Sequence, residues 1–104
     1  MALPPSRDHK ITLADARTLL QRHRTAVAQG AERGGMFHAK AVRDLLAQPG
    51  VVGLRYYHGR KADGSAATVL VGVDANGNDM SSGTVLEEHY PCPPFCPDPD
   101  GLNP

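Results

Sequence analysis

Tryptophan is missing from this chain of 104 residues, and aromatic residues of all kinds make up only 5% of it. The core must therefore come from Val, Leu and Ala with few large anchors, which leaves a domain of this length little stability to spare. No stretch approaches the roughly 18 apolar residues of a membrane span. The opening MALPPSRDHK lacks the apolar run of a signal peptide. These absences point to one small domain, soluble and cytoplasmic, with no membrane partner. Phosphate-binding glycine signatures are absent as well, since GAERGG and GVVG match neither the P-loop nor the dinucleotide fingerprint.

Basic residues stop at Lys61. Residues 1–61 hold all eleven Lys and Arg against four acids, a balance of +7, and residues 62–104 hold seven acids and no base, a balance of −7. The net charge of zero hides this division. If the halves fold into separate faces, copies of the chain attract one another, whereas packing of one half on the other cancels the effect within a monomer. Arg17, Arg22, Arg24 and Arg33 have no interleaved aromatics and seven acids follow them, so nucleic acid is not an expected partner.

What is present reads as α+β. Thr12 with Asp15 predicts a helix start near Leu13. Leu13, Ala16, Leu20, His23 and Val27 recur at helical spacing as far as about Ala28, and Gly30 stops the run. After GAERGG, the residues Phe37, Ala41, Val42, Leu45 and Leu46 predict a second amphipathic helix, with Lys40 and Asp44 as an i,i+4 pair and QPG at 48–50 as its end. VVGLRYYHG and TVLVGVD flank Asp63-Gly64, a hairpin signal. With those two residues as the turn, Leu54 faces Val73, Tyr56 faces Val71 and His58 faces Val69, while Arg55, Tyr57, Leu70 and Gly72 point the other way. Asn76-Gly77 predicts a second turn, and GTVLEEHY a third strand. The expected architecture is two N-terminal helices packed on one face of a small antiparallel meander of two or three strands. The expected division is a flexible arm at 1–10, a domain at 11–90 and a Pro-rich tail at 91–104. That tail holds six of the nine prolines and is expected to be extended and stiff, outside any regular element.

Cys92 and Cys96 are the only cysteines, in the stretch HYPCPPFC. With His89 three residues ahead they offer three ligands of a tetrahedral zinc site, although structural zinc sites usually show two complete ligand pairs. A disulfide spans this spacing too, but a reducing cytoplasm opposes it, and two buried thiols flanking an anchoring Phe95 are the plainest expectation. DANGND and DPDGLN lack the glycine and glutamate positions of a calcium loop and read as turns. His9, His23, His38, His58 and His89 stand in no recognisable nucleophile motif, so no catalytic residue is assigned. His23 is expected as a hydrogen-bonded core histidine.

The segments QPGVVGLRYYHG, LVGVDANGND and PCPPFC together resemble short bacterial proteins that share this order of segments and have no assigned function. The resemblance spans roughly residues 36–96, treats the tail as part of the domain and implies no chemistry. The reading is a non-enzymatic assembly or interaction protein, its partner another copy of itself. Arg55, Tyr57, Leu70 and Phe95 are its expected contact residues, and no cofactor is expected. The alternative is a zinc-binding or thiol-redox module built on His89, Cys92 and Cys96.

Overall fold

In the computed structural model, which describes residues 3–99, 101 and 102, the chain is α+β, with two helices and two small antiparallel sheets. Helix α1 spans Leu13–Ala26. The Thr12 hydroxyl caps it by accepting from the Asp15 N–H at 3.1 Å, as the sequence predicts. It ends two residues before the expected Ala28, and none of its residues is buried. His23, expected in a core, is exposed. Helical periodicity identifies one face of a helix but not whether the chain supplies anything to cover it.

The GAERGG connection leads into a strand that the sequence did not signal, β1 at Gly34–Met36. Helix α2 follows at Ala39–Leu46, two residues after Phe37, with Leu45 fully buried and Lys40 Nζ 2.7 Å from Asp44. The three-stranded sheet is built from β2 (Gly53–Arg60), β3 (Ala66–Val73) and β4 (Val85–Leu86) in that spatial order. The expected third strand is thus cut to two residues. The last strand, β5 at Tyr90–Cys92, pairs with β1 so that Gly34 faces Cys92 and Met36 faces Tyr90. Pro91 lies inside β5, opposite Gly35, so the proline-rich segment does enter a regular element. A two-stranded ladder consists only of edges, where the missing N–H of a proline is tolerated.

Both hairpin loops of the larger sheet follow one scheme. The Gly64 N–H bonds the Lys61 carbonyl at 2.9 Å and the Lys61 N–H bonds the Ser65 carbonyl at 2.8 Å. Likewise Gly77 bonds back to Asp74 at 2.9 Å and Asp74 to Asn78 at 3.0 Å. In each a glycine closes a three-residue loop with φ of +88° at Gly64 and +83° at Gly77, where other residues are strained. An aspartate side chain caps each loop: Asp63 Oδ1 accepts from the Ser65 N–H and hydroxyl, and Asp74 Oδ1 accepts from the Asn76 and Asn78 N–H groups.

The extra loop residue shifts the β2–β3 register by one from that expected. Leu54 faces Gly72, Tyr56 faces Leu70 and His58 faces Thr68. Because strand side chains alternate, the slip exchanges partners across the whole ladder. Arg55 and Tyr57 share a face with Val69, Val71 and Val73. Leu70, expected beside them on an open surface, is on the opposite face and only 8% exposed.

The chain divides into two compact units: residues 1–5 with 37–89, and residues 6–36 with 90–104. In the first, α2 packs on β3 and β4. Gln48, just past the helix, accepts from the Thr84 N–H at 2.8 Å and donates to the Leu45 carbonyl at 2.8 Å. Gly72 leaves room for this contact, since a Cβ at that position would lie 3.0 Å from the Val51 side chain and 3.4 Å from that of Gln48, and both would have to shift by a few tenths of an ångström. In the second, Arg17 Nε on α1 donates to the Gly101 carbonyl at 2.6 Å, which ties the end of the proline-rich segment to the helix. The expected turn at 98–101 includes Asp100, which lies outside the described residues, as do residues 1 and 2 of the expected arm and 103 and 104 of the tail.

These units do not follow the charge division of the sequence. The first carries five bases and six acids, the second six bases and five acids. Each is close to neutral, because the second unit joins the basic N-terminal stretch to the acidic C-terminal one.

Candidate functional site

Strand β2 lies at the edge of its sheet. The Lys61 N–H bonds Ser65, and along an antiparallel ladder bonded and unbonded pairs alternate. Residues 53, 55, 57 and 59 therefore direct their backbone groups to β3, while Leu54, Tyr56 and His58 direct theirs to the open side. Leu54 is 43% and Tyr56 62% exposed. The Tyr56 and His58 rings meet edge to face at 5.6 Å. This eight-residue strand, paired with β3 on one side only and carrying apolar and aromatic side chains, is a template for another strand on its outer edge.

On the other face, Arg55 and Tyr57 are engaged within the chain. Arg55 donates to Asp79 Oδ1 at 2.5 Å and to the Gly77 carbonyl at 3.3 Å, and the Tyr57 hydroxyl donates to Asp79 Oδ2. These hydrogen bonds, Tyr57 first and Arg55 second, hold the Asp79 carboxyl below its ordinary range, and the same carboxylate pushes both partners up. The arrangement clamps the 74–78 loop onto the sheet. Of the expected contact residues on this face, only the ring of Tyr57 remains open to a partner.

Phe95 is 59% exposed and packs edge to face on Tyr90, with ring centroids 5.1 Å apart. It does not fill an apolar groove of its own unit as an anchor would. Cys92 and Cys96 form a disulfide with Cα atoms 4.7 Å apart. This overturns the expectation of two free thiols, and with each sulfur bonded to the other neither is a thiolate ligand. The Cys92–Pro93 and Pro93–Pro94 peptide bonds are cis. Arg33 Nη2 lies 3.6 Å from Cys96 Sγ.

His89, the third member of the expected zinc set, is 6% exposed, with Nδ1 2.5 Å from Glu87 Oε1 and its ring 6.1 Å from that of Phe37. The same Glu87 oxygen accepts from the Thr68 N–H at 3.1 Å. Burial raises the Glu87 carboxyl, but the hydrogen bonds from His89 and from the backbone of Thr68, Glu88 and His89 outweigh it and hold the group at about 2. Among the described residues, no group of three or more His, Cys, Asp or Glu is placed to hold a metal ion. No described helix is long and apolar enough to cross a membrane.

Sequence reasoning passed over Asp79 and Glu87, and over the contacts that Arg33 makes with Cys96 and Gln48 with Thr84. Asp79 sits just beyond an Asn-Gly turn, and its place opposite Val73 follows once that turn is read as a three-residue loop. Arg33 meets Cys96 only because β1 pairs with β5, and a three-residue strand rich in glycine carries no alternation to announce it. No protein-family model matches the chain, and neither a curated protein nor a solved structure matches it. The functional reading therefore rests on the residues themselves.

Proposed function

We propose that this is a non-enzymatic interaction protein that self-associates by pairing the β2 edges of two copies. The observation that carries the reading is the open backbone of Leu54, Tyr56 and His58 beneath exposed Leu54 and Tyr56 side chains. An antiparallel pairing about Tyr56 sets that residue on its own copy and Leu54 against His58, so one patch serves both partners, as a two-fold interface requires. The strand carries Arg55 and Arg60 but no acid; Asp79 neutralises Arg55, and a net charge of zero lets copies approach. The driving term is strand addition with aromatic burial, not the attraction of a basic half for an acidic half. The imbalance in apolar burial agrees with this. Among the described residues, fifteen large apolar side chains are exposed and four hydrophobic residues are buried.

Sedimentation across protein concentration tests the proposal, with a dimer expected that persists at 1 M salt. Tyr56→Lys places a charge on an edge strand, the device by which natural sheets block pairing. It should give a monomer with unchanged circular dichroism, because exposed positions tolerate substitution within about 0.5 kcal/mol. A wild type that sediments as a monomer at every concentration sinks the reading.

A further inference from the structure

The Cys92–Cys96 bridge lies beside an open groove. A cavity of about 370 Å³ is lined by Leu20, His23 and Arg24 of α1, by Arg33, and by Cys92 and Leu102. A second of about 430 Å³ shares Arg24 and Arg33 and reaches Pro93. Both lie within the unit formed by residues 6–36 and 90–104. The two sulfurs are not equivalent there. Cys92 lines the groove, whereas Cys96 receives the Arg33 guanidinium at 3.6 Å.

We infer that the Cys92–Cys96 disulfide is a thiol–disulfide exchange site, attacked at Cys92 and releasing Cys96, for small thiols that carry carboxylates. Exchange proceeds by in-line attack of a thiolate on one sulfur, and it is faster when the sulfur that leaves is stabilised as a thiolate. An incoming thiolate RS⁻ in the groove attacks Cys92 Sγ. An R–S–Cys92 bond forms, the Cys92–Cys96 bond breaks, and the electron pair departs on Cys96 Sγ beside the Arg33 cation, which favours the charged form. A second RS⁻ then attacks the R sulfur of the mixed disulfide, which gives RSSR and the Cys92 thiolate. Two thiols have been oxidised and one protein disulfide reduced, and the two protons released by the thiols are available to the new dithiol. Run backwards, the same steps let the reduced chain accept oxidising equivalents from RSSR. Arg24 and Arg33 at the groove supply the positive charge that selects an acidic thiol, and Leu20 and Leu102 an apolar floor.

The test follows the wild-type chain in reduced glutathione, with acid quench and mass measurement, in buffer, in urea below the unfolding transition and in urea above it. Reduction in buffer at a rate that urea below the transition leaves unchanged supports exchange in the folded protein. Reduction seen only when urea unfolds the chain overturns it. Single-cysteine variants then separate the sulfurs. With Cys92→Ser, the remaining Cys96 should alkylate at pH 6.5 about threefold faster than Cys92 does in Cys96→Ser. That is the net result of roughly tenfold more thiolate at a Brønsted slope near 0.5. Arg33→Gln should abolish the difference and Arg33→Lys retain most of it. Equal reactivity of the two cysteines with Arg33 present overturns the assignment of Cys96 as the leaving sulfur.

Discussion

The two compact units of this chain are stabilised in different ways. Among the described residues, the four buried hydrophobic ones, Leu45, Leu70, Val71 and Val73, lie in the unit formed by residues 37–89 with 1–5, which contains no cysteine. In the unit of residues 6–36 and 90–104 no described residue is buried, and that unit holds the disulfide, the β1–β5 ladder and the Arg17–Gly101 bond. A segment too small to bury a core needs another source of stability, and a covalent cross-link is the common one. The difference teaches that a 104-residue chain need not spread its apolar residues evenly. One part spends them on a core, and the other leaves Leu13, Leu19 and Leu20 on a helix with no buried face.

The comparison breaks most severely at Leu45. It is the largest fully buried side chain of the described residues, and truncation to alanine leaves a cavity that its surroundings close only in part. Leu45→Ala should cost about 2–5 kcal/mol. Hydrogen exchange should show the loss in the amides of residues 66–73. If those amides keep their protection, the core does not depend on this helix.

A smaller effect is expected in the other unit. Cys92→Ser together with Cys96→Ser opens a short loop, whose closure is worth about 2 kcal/mol on the chain-entropy account. The amides of 34–36 and 90–92 should exchange faster while those of 66–73 hold. Phe95→Ala should cost less than the double serine variant, because its ring is already 59% exposed. This order reverses what an anchoring phenylalanine would give, and a larger loss from Phe95→Ala would restore the anchor.

The same contrast explains which features could be read in the sequence. The Thr12 cap, the Lys40–Asp44 pair and the hairpin between residues 53 and 73 are local signals that need no knowledge of the rest of the chain, and each appears where expected. The register failed by one residue because Asp-Gly and Asn-Gly suit both a two-residue turn and the last two places of a three-residue loop. The preceding Ala62 and Ala75 give no reason to choose between them. The β1–β5 pairing was not legible, since it joins residues more than fifty positions apart through glycines and a proline. With it went the place of Arg33, and the grouping of basic and acidic segments in one unit. For the same reason of register Leu70, expected on the face of Arg55 and Tyr57, lies on the opposite one and is buried.

The smallest effect is a dependence on acid confined to the unit with the core. Glu87 accepts from His89 and from the Thr68 N–H, and its carboxyl is held at about 2 against an ordinary 4.5. A carboxyl whose folded value is depressed contributes stability that is present above its unfolded value and lost as pH falls through its folded one. The contribution should therefore be complete above about pH 4.5 and vanish as pH falls toward about 2. Since the side chain is 21% exposed, solvent reduces its worth to on the order of 1 kcal/mol, well below the full linkage value. Denaturant melts at pH 6 and pH 3 measure it, and Glu87→Gln supplies the reference. The variant should lose stability at pH 6 and differ less from the wild type at pH 3, with the change reported by the Thr68 amide and not by those of 34–36. A variant that loses the same amount at both pH values would show that the Glu87 carboxylate positions His89 by shape, and that its charge adds nothing.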